Sequence, residues 1–275
     1  MRPTVAARST VWPVVLEQFR LDDKVAIVSG AGRGIGAACA EVFAEAGADV
    51  VIGARSADQL AETAAAVEAH GRRAIVVNGD LSTREGMARL VDAATAELDG
   101  IDVVVNNVGG AMPAGFLDTS ERAFDAALQF NVTTAFNLTQ LAAPAMLERG
   151  DGAVVNITST AGRFAIRGMS AYGTAKAALI HLTRELAADL APKIRVNAVS
   201  PGATATAALE IVTDSPELTD AMVAGTPLKR LGQPWEIAAA ALYLASPAAA
   251  YVTGEILSVS GGIQGSNLEL GLPDL

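Results

Sequence analysis

Cysteine is almost missing from this chain. Cys39 is the only one, so no intrachain disulfide can form, and a reducing compartment such as the cytoplasm is the simplest home. Long apolar runs are missing too. The nearest, Ala238 to Val252, is broken by Ser246 and Pro247, so no transmembrane helix and no membrane partner are expected. The amino-terminal run Val11 to Leu16 is short, is interrupted by Pro13 and lacks a small-residue cleavage pattern. Residues 1–20 therefore read as an extension, free or packed on a partner subunit, and not as a targeting peptide. Basic charge is scarce: 20 Lys and Arg stand against 30 Asp and Glu, a net charge of −10. That balance argues against nucleic acid as a partner. Charged residues make up only 18% of 275 residues and hydrophobic ones 51%, so the chain is compact and can bury a substantial core.

What is present is an alternation. Short β-branched runs lie at Lys24–Gly30, Asp49–Ala54, Arg73–Gly79, Ile101–Asn107, Gly152–Ser159, Ile194–Ser200 and Glu255–Gly261. Between them lie Ala-rich stretches that read as helices, near 35–46, 57–70, 83–98, 120–149, 171–190 and 234–244. The strands are nearly continuous apolar runs, as in a parallel sheet buried on both faces. Strict β-α alternation predicts an α/β fold with a doubly wound parallel sheet. No linker or compositional break interrupts it, so one domain over 21–275 is expected. The irregular piece, about 203–227, contains Pro216, Gly225 and Pro227 and reads as a lid.

Between the first strand and the first helix lies SGAGRGIGAACA, Ser29 to Ala40, with glycines at 30, 32, 34 and 36. A glycine turn that opens a helix lets backbone N–H groups approach a phosphate, and the helix dipole favours the anion. At the head of the first βαβ unit this is a strong dinucleotide signal. Such sites usually carry an acid about 20 residues on, for the adenosine ribose. That acid is absent. The second strand ends in Gly53 and Ala54, which would leave room beside a ribose, and then Arg55. Arg55, with Arg33 in the turn, suits a 2′-phosphate through charge-assisted hydrogen bonds. The expected cofactor is therefore NADP(H), with NAD(H) the alternative.

SAYGTAKAAL, Ser170 to Leu179, places Tyr172 and Lys176 on one helix face. An ammonium beside a phenol favours the phenolate, so Tyr172 is expected below its ordinary pKa, as a general acid-base. With three tyrosines and four lysines, one accidental Tyr-x-x-x-Lys is expected about 0.04 times. Ser159 ends the fifth strand, and Asn106 and Asn107 end the fourth at the same sheet edge, where ligands of open α/β sheets bind. Gly109 and Gly110 follow and allow close approach. Asn131 lies in mid-helix, where Asn is not favoured.

Gly-x-x-x-Gly-x-Gly at Gly30, Gly34 and Gly36, NNVG at 106–109, Asn131, Ser159, Tyr-x-x-x-Lys at Tyr172 and Lys176, and Pro201-Gly202 occur in order. Together they resemble the classical short-chain dehydrogenases/reductases. The stretch Thr226 to Gly262 is similar to bacterial hydroxysteroid dehydrogenases and 3-oxoacyl-thioester reductases. The resemblance implies a single Rossmann-type domain with a seven-stranded parallel sheet, a nicotinamide cofactor and a homotetramer. It implies Tyr172 as acid-base, Lys176 as the group that lowers its pKa and holds the nicotinamide ribose, and Ser159 on the substrate oxygen. Asn131 would anchor a water and proton relay to Lys176. Asp80 matches an adenine contact. Ile35, Leu81, Asn107, Gly109, Pro201, Gly202 and Thr206 complete the expected cofactor set, and no metal is called for. Ser29 for Thr and Val108 for Ala are small departures.

Met112, Phe116, Phe164, Ile166, Met169, Ala207, Leu209 and Met222 are the expected substrate contacts, which favours a mostly apolar ketone or secondary alcohol, such as a 3-oxoacyl thioester or a steroid. The expected activity is hydride transfer between NADP(H) and that carbonyl. The competing readings are an NAD-preferring alcohol dehydrogenase and a non-catalytic NADP(H)-binding sensor.

Overall fold

The computed structural model describes residues 13–207, 209, 216–268 and 270. The first twelve residues of the expected extension, and 208 and 210–215 of the expected lid, lie outside the described residues. Seven strands form one parallel sheet: β1 (Val25–Ser29), β2 (Asp49–Ala54), β3 (Ala74–Asn78), β4 (Val103–Asn106), β5 (Gly152–Ile157), β6 (Ile194–Pro201) and β7 (Ile256–Val259), in the order β3-β2-β1-β4-β5-β6-β7. The order reverses between β1 and β4, which places a crevice beyond the carboxyl ends of those strands. The helices are α1 (Gly34–Glu45), α2 (Ala57–Ala69), α3 (Arg84–Leu98), α4 (Glu121–Leu128), α5 (Thr134–Arg149), α6 (Ser170–Leu190), α7 (Pro216–Gly225) and α8 (Pro234–Ala245). This is a doubly wound Rossmann-type architecture.

The strands lack visible alternation because both faces are apolar, yet their residues still sort by parity. Ala26, Val28, Val50 and Ile52 pack with Phe43, Leu60 and Ile237 on the α1, α2 and α8 side. Val25, Ile27 and Val51 pack with Leu90, Leu138 and Met146 on the α3 and α5 side. The edges differ from the centre. β1 and β4 are buried throughout, whereas β3 and β7 are partly open to solvent along most of their length. Burial on both faces thus holds for the middle strands and fails at the rims.

Two sequence expectations need correction. The single helix over 120–149 is interrupted by a π-helical turn at Gln129–Thr133 between α4 and α5. The irregular stretch before Pro227 contains a helix, α7, opened by Pro216 at a position that has no need of an N–H. Of the amino-terminal extension, Leu16–Phe19 form one 3₁₀ turn, and Phe19 lies 6.1 Å from the ring of Tyr243 on α8.

Candidate active site

The first, fourth and fifth strands end earlier than expected, and the residues left over at their carboxyl ends build the site. Gly30, Asn107 and Ser159 all lie just past their strands. Gly30 (φ 69°) and Gly34 (φ 60°) take left-handed backbone that favours glycine. A Cβ at Gly36 would run into the Gly30 carbonyl and stand 2.5 Å from Asn107 Nδ2. Asn107 Nδ2 donates to that carbonyl at 2.9 Å, and the Asn107 N–H donates to Ser29 Oγ at 3.1 Å, so the glycine turn and the end of β4 are locked together. Ser56, Thr83 and Ser120 cap α2, α3 and α4 with their hydroxyls; α1 begins at the turn with no side-chain cap. Its first N–H groups are therefore left for a ligand.

A cleft of about 1310 Å³ runs along this edge. It is lined by Gly30, Arg33, Gly34, Ile35, Arg55, Asp80, Leu81, Asn107 and Gly109, and on its other side by Ser159, Tyr172, Lys176, Pro201, Gly202 and Thr206. Gly36 and Asn131 stand behind the lining. Arg33 and Arg55 are exposed at one end, and neither is in an ion pair among the described residues. The Ser82 backbone and hydroxyl hydrogen-bond Asp80 and hold its carboxyl below the ordinary value, and the charge of Arg55 adds to this. Gly53 does not leave room beside a ribose: a Cβ there would come 2.6 Å from Leu90 Cδ2 and 3.1 Å from Leu81 Cδ1. Its smallness serves the packing of α3 on β2, and Ala54 alone borders the cleft.

At the other end, Lys176 is buried and donates from Nζ to the Ile157 carbonyl at 2.9 Å. Loss of hydration brings its pKa down to about 8. Its Nζ lies 5.7 Å from the Tyr172 ring centroid. Ser159 hydrogen-bonds the Tyr172 hydroxyl, and its Oγ accepts from the Ala161 N–H at 3.1 Å. Burial nevertheless raises the Tyr172 pKa, with the Ser159 bond opposing. The expected lowering by Lys176 does not enter: loss of hydration carries the phenol above its ordinary value, and only the Ser159 bond opposes it. Both groups are thus held toward their neutral forms.

Asn131 is fully buried in the π-helical turn. That turn explains an Asn in mid-helix, since π turns free a backbone ladder and recur at functional sites. Asn131 Nδ2 donates to the Gly110 and Ala127 carbonyls at 2.9 and 2.8 Å, and Oδ1 accepts the Gly110 N–H at 2.9 Å. A Cβ at Gly109 would lie 2.6 Å from Asn131 Oδ1 and 2.8 Å from Lys176 Nζ, so only glycine leaves these two groups side by side. The bare backbone cradle, the uncapped α1 and the buried amine fit a nicotinamide dinucleotide.

Of the expected substrate contacts, Met112, Ile166, Met169, Ala207, Leu209 and Met222 line the cleft. Phe116 and Phe164 do not. Phe116 is 75% exposed, and Phe164 stacks under Arg163. A side cavity of about 350 Å³, floored by Ala114, Ala123 and Ala127, opens beside Tyr172. Sequence reasoning missed several lining residues, among them Gln59, Thr158 and Thr160 and two further sets. Ala126, Gln129 and Phe130 come from the end of α4 and the turn after it, and their i, i+3, i+4 spacing is a signal that could have found them. Asn267 and Leu268 arrive from the carboxyl-terminal segment, which no local pattern points to.

Residues 30–264 match the family model described as enoyl-(acyl carrier protein) reductase. The chain is 52% identical over 263 residues to an uncharacterized oxidoreductase of Mycobacterium tuberculosis, covering 95% of this chain and all of the relative. It is 43% identical over 247 residues to 7α-hydroxysteroid dehydrogenase of Escherichia coli, covering 90% and 96%. A solved structure of a 7α-hydroxysteroid dehydrogenase with NADH and 7-oxo glycochenodeoxycholic acid superposes with a TM-score of 0.87 at 42% identity, covering 90% of this chain and 96% of that one. The chain therefore belongs to the short-chain dehydrogenase/reductase family, oxidoreductases that act on alcohol and ketone groups with an NAD(P) cofactor.

Proposed function

We propose that this protein interconverts a mostly apolar ketone and its secondary alcohol with NADP(H). The observation that carries the chemistry is the meeting of Ser159, Tyr172 and buried Lys176 where the glycine-turn cleft opens into an apolar pocket. Gly30, Gly34, Ile35 and the α1 N–H groups would hold the pyrophosphate, Asp80 and Leu81 the adenine end, and Asn107, Gly109, Pro201, Gly202 and Thr206 the nicotinamide end. The cofactor, when bound, supplies or accepts the hydride. In reduction Tyr172 gives its proton to the substrate oxygen, and Ser159 hydrogen-bonds that same oxygen. Lys176 holds a ribose hydroxyl and returns a proton to Tyr172. Asn131 fixes Gly110, and with it the wall beside Lys176. The raised pKa of Tyr172 keeps the phenol protonated before transfer, which suits a proton donor.

Cofactor choice rests on Arg33 and Arg55, exposed at the ribose end of the cleft with no carboxylate at the carboxyl end of β2 to meet a free 2′-hydroxyl. One observation favours a second reading, preference for NAD(H): the superposable hydroxysteroid dehydrogenase is complexed with NADH. The substrate reading rests on Ile166, Met169, Leu209 and Met222 around Tyr172, and on the alanine-floored side cavity, which gives room on both sides of a reacting carbonyl. A homotetramer suits the half-exposed β7 edge, where Leu257 is open to solvent.

Tyr172→Phe tests the mechanism. It should lower kcat by about 10³-fold, within the range of general acid-base catalysis, while NADPH still binds. Turnover equal to the wild type sinks the assignment.

A further inference from the structure

The carboxyl-terminal segment reaches over the pocket, and it does so beyond residue 264, where the family match stops. It is pinned to α7 at several points. Asn267 Nδ2 donates to the Met222 carbonyl at 3.1 Å and to Thr226 Oγ1 at 3.0 Å. Thr226 Oγ1 in turn donates to the same Met222 carbonyl at 2.8 Å, closing a small polar knot. Gly225 is bare where the two segments touch: a Cβ there would come 2.9 Å from Asn267 Cβ. Upstream, the Leu228 N–H donates to the Gly261 carbonyl at 3.1 Å, so the exit of α7 and the start of the segment are tied as well. The Leu268 N–H donates to Ser266 Oγ at 3.3 Å, and Ser266 Oγ donates to the Leu268 carbonyl at 3.1 Å, which turns the next side chain inward.

That side chain is Leu268. It is 7% exposed and forms one apolar cluster with Met169 and Met222, against which Ile166, Leu209 and Tyr172 pack. Leu268 and Asn267 both line the cleft. We propose that Leu268, held by the Asn267 latch on α7, is a specificity-determining residue that sets how long an apolar substituent on the reacting carbonyl the pocket accepts. The proposal rests on the ketone reading above. Asn267 is then a positioning residue that acts through Leu268 and Met222. A wall supplied by a few methylenes discriminates modestly, about 10-fold to 200-fold between substrates.

The test is a ladder of linear methyl ketones of rising chain length, with kcat/KM measured for each in the presence of NADPH and of NADH. Leu268→Ala should move the length of highest kcat/KM upward and Leu268→Phe downward, each by about tenfold at the longest ketone. Asn267→Ala should flatten the profile, because the wall is no longer held. Thermal melting separates this from loss of folding. A fall in Tm with an unchanged profile overturns the latch, and identical profile shapes in Leu268→Ala and Leu268→Phe overturn the wall. Should Asn267→Ala not fold, Asn267→Asp keeps the size and sets a carboxylate against the Met222 carbonyl, and the same flattening is expected. Wild-type turnover with no length shift in any variant defeats this proposal alone. A wild type that reduces no ketone with either cofactor defeats the ketone reading and this proposal with it.

Discussion

Along the glycine turn the cleft is lined by backbone: Gly30, Gly34 and Gly109 present N–H groups and bare Cα atoms, and Asn107 ties the pieces together. Beneath α7 it is lined by side chains from four separate places, with Met112 after β4, Ile166 and Met169 before α6, Met222 on α7 and Leu268 near the end. The first side has little freedom to change, because most of what it offers is conformation. The second can change one side chain at a time without disturbing the sheet. A constant ligand suits the first and a variable one the second.

The largest effect is expected on the backbone side. A Cβ at Gly36 meets the Gly30 carbonyl and Asn107 Nδ2, neither of which can move without opening the turn. Gly36→Ala should raise the cofactor KM about 30-fold, in keeping with the 1–3 kcal/mol cost of overpacking. Gly71→Ala is the comparison. Gly71 has φ 72° but nothing within 4 Å of a new Cβ, so it should cost about 1 kcal/mol of stability and leave the cofactor KM alone. Equal cofactor KM values in the two variants would break the division.

Between the two sides sits Lys176, with its pKa brought down to about 8 by burial. The sign follows from the form needed. Below pH 8 the amine carries its proton and can restore Tyr172; above it the proton is lost. On the proposed mechanism, ketone reduction should fall about tenfold per pH unit above that point. The phenol, whose pKa is raised, stays protonated through the same range. A reduction rate flat from pH 7 to 10 would remove Lys176 from the proton path.

What was legible follows the same line. The seven strands, the glycine turn, Arg33 and Arg55 at one end and Tyr172 with Lys176 at the other could be read from the sequence, since each depends on local spacing. Ser159 was legible as the residue that ends a strand at the ligand edge. The π-helical turn was not, although Asn131 signalled it as an unfavoured residue in a helix. Leu268 and Asn267 were not legible at all, since their place depends on how the chain returns over α7. Phe116 and Phe164 show the converse: near in sequence to lining residues, they point elsewhere because loop geometry, not proximity, aims a side chain.

A smaller effect is expected where the backbone side ends in exposed charge. Arg55→Ala should lower the ratio of kcat/KM for NADPH over NADH about tenfold, the worth of one solvent-facing charge-assisted contact. Arg33→Ala added to it should lower the ratio further. A ratio that does not move in either variant favours the NAD(H) reading.

The smallest effect is expected at Gly53, and it separates packing from recognition on a single strand. Gly53 and Ala54 are neighbours on β2, so their side chains point to opposite faces. Ala54 borders the cleft, whereas a Cβ at Gly53 would meet the tips of Leu90 and Leu81. Those tips are the far ends of flexible side chains, so they can give way at a cost near the low end of overpacking, about 1 kcal/mol. Gly53→Ala should therefore lower Tm by about 2–4 °C, the shift that 1 kcal/mol produces in a domain of this size class. The NADPH-to-NADH ratio should stay where it was, because the added methyl faces α3. A changed ratio with an unchanged Tm would mean that Gly53 does make room at the ribose, and that β2 addresses the cofactor with both of its final residues.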